Sequence, residues 1–458
     1  VILEKESEVG GVWRDNVYPG SGCDVPAILY SFSFAPKHDW TRRYPAQGEI
    51  KRYIETVVDE FDVRRHLRFN QEVTSLTFDD ASGVWTVETA GGRYRSRAVI
   101  SAVGQLNRPK IPALPGLDTF TGPAFHSARW RNDVDLKGKR VAVVGNGASA
   151  IQFVPVVAAE AEKLHLFQRT PGRVMPKPDR AHTSTELWRY RSIPLWQRLE
   201  RLILYLRLEL NVLRIKTGSK ANEEFAERAT AIITEAVTDP ELRAKLLPDY
   251  PAGCNRTTLS NDWYPALSRL NVEVVTDGLS HVEPDGIVTR DGVKRKVDVI
   301  VFATGFDALN FLAPMKVTGA NGADLHGMWK DGAEAYKGIS APGFPNLFMM
   351  YGPNTNAYNS VLVMLEAQAG YIARCVRRIV ADGVVMDVRP EASRRFNDMI
   401  QKRISKLVWV ENCRNWFKTA EGKVTTNWPG STLRYRAVTA RLDLADYTLR
   451  NVGKEQKR

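Results

Sequence analysis

Residues 139–160 read KRVAVVGNGASAIQFVPVVAAE. An apolar run ends at Gly145-Asn146-Gly147-Ala148-Ser149-Ala150, and a stretch with helical periodicity follows. This is a strand, a glycine turn and a helix. The first glycine makes the tight turn, and the second lets the backbone approach a pyrophosphate. The third position, Ala150, must be small so that the helix packs on the sheet. The pyrophosphate then meets the helix N-terminus, where free N–H groups and the helix dipole favour an anion. After the next strand, Leu164–Phe167, an NAD site would carry an acidic residue. Here Gln168-Arg169-Thr170 stands instead. A guanidinium and a hydroxyl suit a 2′-phosphate, so NADPH is expected over NADH.

Working outward, the chain begins with a short apolar stretch closed by Glu4, like the second strand of a βαβ unit. Gly10-Gly11-Val12-Trp13 reads as a turn, and Ile50–Phe61 as a helix with a charged outer face. Glu72–Phe78 and Val84–Thr89 alternate around an Asp/Gly turn, which predicts a hairpin. Ala98–Val103 reads as a strand, and the proline-rich 107–116 as a stiff linker. Residues 182–248 predict a helical insertion. Its segment 198–216 is apolar on most sides. We expect it to be buried against the domain or a subunit, with shallow contact at a membrane surface as the alternative. Val272–Val275 and Val297–Phe302 read as strands, Asn346–Tyr351 as another, and Val361–Val380 as a helix.

The composition is that of an ordinary globular chain of 458 residues, 43% hydrophobic and 25% charged. The net charge of +12 comes without any block of five or more consecutive basic residues, which argues against nucleic acid as a partner. No apolar run approaches the ~20 residues of a membrane span. The four cysteines, Cys23, Cys254, Cys375 and Cys413, form no CxxC pair. We expect them reduced, in a cytoplasmic protein without a metal site.

Two further motifs carry a resemblance. Phe120-x-Gly122-xxx-His126-xxx-Trp130 lies just upstream of the glycine loop. Gly10-Gly11-Val12-Trp13, Tyr18-Pro19-Gly20 and Asp24 follow one another at fixed spacing. Both resemble the fingerprints of type I Baeyer–Villiger monooxygenases within the flavin-containing monooxygenases. The segments at 164–180, 249–267 and 297–308 are similar to the branch that includes 4-hydroxyacetophenone monooxygenase. The resemblance implies an α/β fold with two Rossmann-like dinucleotide-binding domains, for FAD and NADPH. The expected boundaries are 1–130 for the first part of the FAD domain, 131–310 for the NADPH domain with its insert, and 311–458 for a C-terminal return to the FAD side. It implies oxygen insertion beside a ketone carbonyl through a C4a-peroxyflavin, giving an ester or lactone. An N- or S-oxygenating enzyme of the same fold and a non-catalytic nucleotide-binding remnant are the alternatives. The partners are then a small ketone and O2, and the chain a monomer or homodimer.

Residue by residue, the resemblance makes Arg256 the charge that stabilises an oxygen anion, with Asp24 holding it; these two are the expected catalytic pair. Glu4 would bind the adenosine ribose of FAD. Gly10, Gly11, Val12, Trp13, Tyr30 and Val73 would line the FAD site. Gly145 to Ala150 with Arg169 and Thr170 would hold NADPH, and Trp416 would contact its nicotinamide end. His126 and Trp130 are expected to be structural. Asn255 departs from a lysine common in relatives, and Arg131 from a usual Pro or Asp. No glycine-rich turn precedes Glu4 and the chain has no initial Met, so an upstream strand, turn and helix are expected to be missing.

Overall fold

The structure, a computed structural model, describes residues 1–413 and 415–451. Its organising element is a five-stranded all-parallel sheet, in the order Val272–Val275, Lys163–Phe167, Arg140–Val144, Val299–Phe302, Ala124–His126. These strands are rich in Val, Leu, Ile and Phe because both faces are covered. Helix Ala148–Glu160 packs on one face and buries Ile151, Phe153, Val154 and Val157. Strand order reverses beside Arg140–Val144, and the glycine loop leaves that strand at this switch point. The edge strand Ala124–His126 precedes residue 130, so this sheet begins earlier than the expected boundary at 130/131.

The other region is assembled from both ends of the chain. Ile2–Leu3 pairs with Leu67–Arg68, and Val99–Ser101 with Leu347–Met349, each as a parallel two-stranded unit. The expected hairpin forms as Val73–Asp79 and Val84–Thr89, flanked by Gly92–Ser96 and Lys316–Thr318 in a four-stranded sheet. Two sets of strands had no clear sequence signal. Gly92–Ser96 and Lys294–Lys296 are short, polar and largely exposed, so no apolar alternation marks them. The latter belongs to a three-stranded sheet with Leu279–Glu283 and Gly286–Thr289. Helices Gln47–Glu60 and Val361–Asp382 form where expected.

Three expectations change. Gly10-Gly11 does turn, but Val12–Asp15 then continue as one turn of helix. The insert is helical, with Ser184–Ser192, Pro194–Glu209, Lys220–Ala236 and Pro240–Leu246. However, helix Pro194–Glu209 buries one face only. Tyr205 and Glu209 face inward, while Leu195, Leu199, Leu202 and Leu206 stand exposed. Finally, Cys254 and Cys413 are disulfide-bonded, 159 residues apart in sequence, and only Cys23 and Cys375 are free thiols among the described residues. A pairing made by tertiary approach has no spacing signature. No described helix is long and apolar enough to cross a membrane.

Candidate active site

The glycine loop is built from backbone. Gly145 sits at φ +102°, and a Cβ there would lie 2.5 Å from the carbonyl oxygen of Ala303, at the end of the neighbouring strand. Only glycine meets both demands. Gly147 caps helix Ala148–Glu160 with no side-chain partner, so the first N–H groups of the helix are open to an anion. Asn146 braces the loop by donating to Gln168 Oε1 (3.0 Å) and to the carbonyl of Thr170 (2.9 Å). Arg169, one residue beyond Gln168, is exposed and makes no ion pair among the described residues. Open N–H groups and an unengaged guanidinium at one loop fit a dinucleotide with an extra phosphate.

The two fingerprints meet on this helix. Tyr18 donates to Gln152 Oε1 (3.0 Å), and Gln152 Nε2 donates to the carbonyl of Gly22 (2.9 Å). Gly20, at φ +76°, presses on the backbone of Gln152, where a Cβ would lie 2.5 Å from the carbonyl oxygen. Trp130 packs against Tyr18, Phe125 and Phe153 with centroid distances of 6.5, 5.4 and 5.2 Å. Tyr-Pro-Gly and the fingerprint tryptophan therefore form one aromatic seam between the two halves. His126 lies beside it, fully buried on the edge strand. Its Nδ1 accepts from the N–H of Ala128 (3.1 Å), while its Nε2 has no partner. Burial pushes its pKa down to about 4, which the nearby Gly305 backbone opposes only in part, so the ring is neutral.

Asp24 follows the seam by four residues and lies between two cations. Arg256 Nη2 is 3.8 Å from Asp24 Oδ2, and Lys177 Nζ is 3.7 Å from Oδ1. Asp24 is 14% exposed, and its Oδ1 has no hydrogen-bond donor. The two cations are brought together by strand pairing of Val174–Met175 with Thr258–Leu259. Buried Arg173 reinforces that pairing by donating to the carbonyls of Tyr250 (2.6 Å) and Pro251 (3.4 Å). Arg256 is about half exposed, at 47%. Around it stand tyrosines. Burial raises the phenols of Tyr30, Tyr351 and Tyr358, the last two to about 12, and the Arg256 charge opposes the rise at each. These hydroxyls are therefore neutral donors. Trp13 Nε1 donates to Tyr30 (3.0 Å) with the rings edge to face.

The structure brings Asp24, Arg256, Trp13 and Tyr30 into one region, together with Lys177, Tyr351 and Tyr358. The disulfide joins the residue two before Arg256 to the loop that carries Trp416, and Asn415 donates to the carbonyl of Cys254 (3.0 Å). Trp416 is part-buried against Phe417, with centroids 4.7 Å apart. Glu4 lies with Val73 at the other end: the N–H of Gln71 donates to the carbonyl of Glu4 (2.9 Å), and Leu3 and Val73 pack against one core. The Glu4 carboxylate accepts from the N–H of Glu6 (3.0 Å) and faces Arg14. An acceptor without a donor at Asp24, flanked by cations and an aromatic pair, fits a planar group with a donor at its edge. Lys177 could have been suspected from the resembling segment 164–180; the two tyrosines and the disulfide carry no local signal.

The family described as Flavin-binding monooxygenase-like matches residues 1–225. A Baeyer-Villiger monooxygenase of Streptomyces coelicolor is 44% identical over 98% of this chain and 87% of its own. Cyclohexanone monooxygenase from Rhodococcus sp. Phi1, solved with NADP+, superposes with a TM-score of 0.87 at 30% identity, covering 98% of this chain and 94% of that one. OTEMO, solved with FAD and NADP, gives a TM-score of 0.87 at 27% identity over the same shares. The chain belongs to the flavin-binding monooxygenases of Baeyer–Villiger type.

Proposed function

We propose that this FAD- and NADPH-dependent monooxygenase inserts one oxygen atom beside a ketone carbonyl, giving an ester or lactone. Overall, ketone, O2, NADPH and a proton become ester, water and NADP+. The reading rests on one observation: a half-buried carboxylate with an unmet acceptor, Asp24, holds Arg256 and Lys177 within 4 Å. Bound FAD supplies oxygen activation, and NADPH supplies the hydride.

The protein's own residues do the rest. Gly145 to Ala150 present backbone N–H groups to the NADPH pyrophosphate, and Arg169 with Thr170 take its 2′-phosphate. Glu4, Gly10, Gly11, Val12, Trp13, Tyr30 and Val73 would line the FAD side, and Asp24, whose Oδ1 lacks a donor, would offer an acceptor there. Trp416 closes the nicotinamide end. Arg256 would keep a fixed positive charge beside the reacting oxygen, stabilising negative charge there during insertion. Arginine suits this role because it retains its proton at any working pH. Asp24 is a positioning residue: it keeps Arg256 and Lys177 from drifting into solvent. The raised phenols of Tyr351 and Tyr358 stay protonated and add no competing negative charge.

Arg256→Ala is expected to keep NADPH oxidation with flavin reduction while ester yield falls at least about a hundredfold, the size seen when one oxyanion donor is lost. Product analysis with phenylacetone and thioanisole checks it. Unchanged ester from the variant, or sulfoxide with no ester from the wild type, would overturn the reading.

A further inference from the structure

Helix Pro194–Glu209 and the turn after it, Leu210–Ile215, present a leucine stripe that nothing in the described chain covers. Leu195, Leu199, Leu202, Leu206, Leu210 and Leu213 recur at spacings of four and three, which places them on one helical face. All six are exposed, Leu195 by 71% and Leu210 by 61%. Water contact along a face of about 24 Å is unfavourable, and apolar patches of this continuity mark an interaction site.

The charges beside the stripe decide its partner. Residues 184–215 contain six arginines and three carboxylates. Each carboxylate is engaged inward. Glu186 is held by Arg180 and its own helix cap, and Glu200 accepts from Tyr190 (2.8 Å). Glu209 is buried against Asn359 (2.6 Å) and Thr432 (2.5 Å). Arg201 also turns inward, donating to the carbonyls of Ile28 and Ser31. The outer face therefore shows leucine with Arg191, Arg198, Arg207 and Arg214, all exposed, and no free carboxylate. Trp196 is exposed beside it with Arg189 over its ring, 5.0 Å from the centroid. A second copy of the same face would bring arginines against arginines with nothing to neutralise them. A bilayer rich in anionic lipid answers both features: acyl chains take the leucines, headgroup phosphates take the arginines, and tryptophan sits at the boundary between them.

We propose that this helix lies flat on an anionic lipid surface and docks the enzyme there peripherally. Its inner face, through Leu204, Tyr205 and Leu208, packs on Val25 and Leu29, next to Asp24 and Tyr30. The docked face and the active site are therefore two sides of one short layer.

The test is co-sedimentation of the FAD-loaded full chain with vesicles of phosphatidylcholine alone and of phosphatidylcholine with phosphatidylglycerol. Binding is expected to the anionic vesicles, to weaken in high salt, and to fall at least about tenfold in Leu202→Glu/Leu206→Glu. That double variant changes only exposed positions, and an unchanged melting temperature confirms that it folds. Arg198→Glu/Arg207→Glu should lose the preference for anionic over neutral vesicles while retaining its fold. No binding of the wild type to anionic vesicles, or equal binding by the leucine variant, overturns the proposal. So does a wild-type dimer in sedimentation velocity that the leucine variant dissociates, since the face would then be an interface between copies.

Discussion

The glycine loop at 145–150 and the Asp24–Arg256 cluster solve the same problem, holding a charged group, by opposite means. The loop uses consecutive backbone N–H groups on one strand–helix unit, and its requirements are steric: φ +102° at Gly145 and no room for a Cβ. The cluster uses side chains from residues 24, 30, 177, 256, 351 and 358, brought together by strand pairing and a disulfide. A backbone site fails when its geometry is filled. A side-chain site fails when one charge is removed, and the rest of it survives. The two should therefore break independently.

Gly145→Ala is the strongest test of that independence. It puts a methyl group 2.5 Å from the Ala303 carbonyl oxygen and forces alanine into left-handed backbone. NADPH affinity should fall at least about a hundredfold. Ester formation driven by chemically reduced flavin should persist, the reverse of Arg256→Ala. Titration of NADPH with steady-state kinetics checks the first half. Unchanged KM for NADPH would mean that the loop does not hold the nucleotide.

The seam should respond differently again, because it joins the two halves by aromatic packing rather than by charge or open N–H groups. Trp130→Ala empties an aromatic cluster shared by Tyr18, Phe125 and Phe153. Removing a large packed ring costs about 3 kcal/mol. We expect that loss in chemical denaturation, with both KM for NADPH and the ester-to-sulfoxide ratio little changed in the folded fraction. A variant that keeps full stability but loses activity would show that Trp130 acts on chemistry.

What was legible in the sequence follows the same division. The glycine loop, its strand and its helix could be read from adjacent residues, because the chemistry and the geometry are local. The hairpin and the helical insert were legible from periodicity. Asp24 and Arg256 emerged only through resemblance, Lys177 was hinted at only by the resembling segment around it, and Tyr351 and Tyr358 not at all, since each is placed by contacts far away in sequence. The Cys254–Cys413 bond ran against the reading of four separate thiols, and the bare face of Pro194–Glu209 against an expectation of burial. Apolar periodicity shows that a face wants cover; it does not show whether the chain supplies it.

His126 gives the seam a pH dependence. Its pKa is depressed to about 4 from an ordinary value near 6.5, chiefly by burial. The unfolded chain takes up the proton first, so the native state is fully favoured above about pH 7. Stability then declines as pH falls from 6.5 towards 4, by up to on the order of 3 kcal/mol. Denaturation midpoints across that range should show the loss in wild type and a flatter profile in His126→Phe. An identical slope in both would place the acid sensitivity elsewhere.

Arg169 is the smallest expected effect and the sharpest probe of how the loop selects its nucleotide. On the proposed reading the loop would meet only what NADH and NADPH share, and discrimination would come from side chains after the second strand. Asn146, bonded to Gln168 and Thr170, fixes that segment against the loop and leaves the Arg169 guanidinium exposed. An exposed ion pair with a phosphate is screened by solvent, so its loss should cost about a tenfold preference rather than binding altogether. Arg169→Ala should therefore raise KM for NADPH about tenfold and leave KM for NADH unchanged, and added salt should narrow the wild-type gap between the two cofactors. If both KM values rise together, Arg169 shapes the loop instead of reading the phosphate, and the selecting charge is another residue.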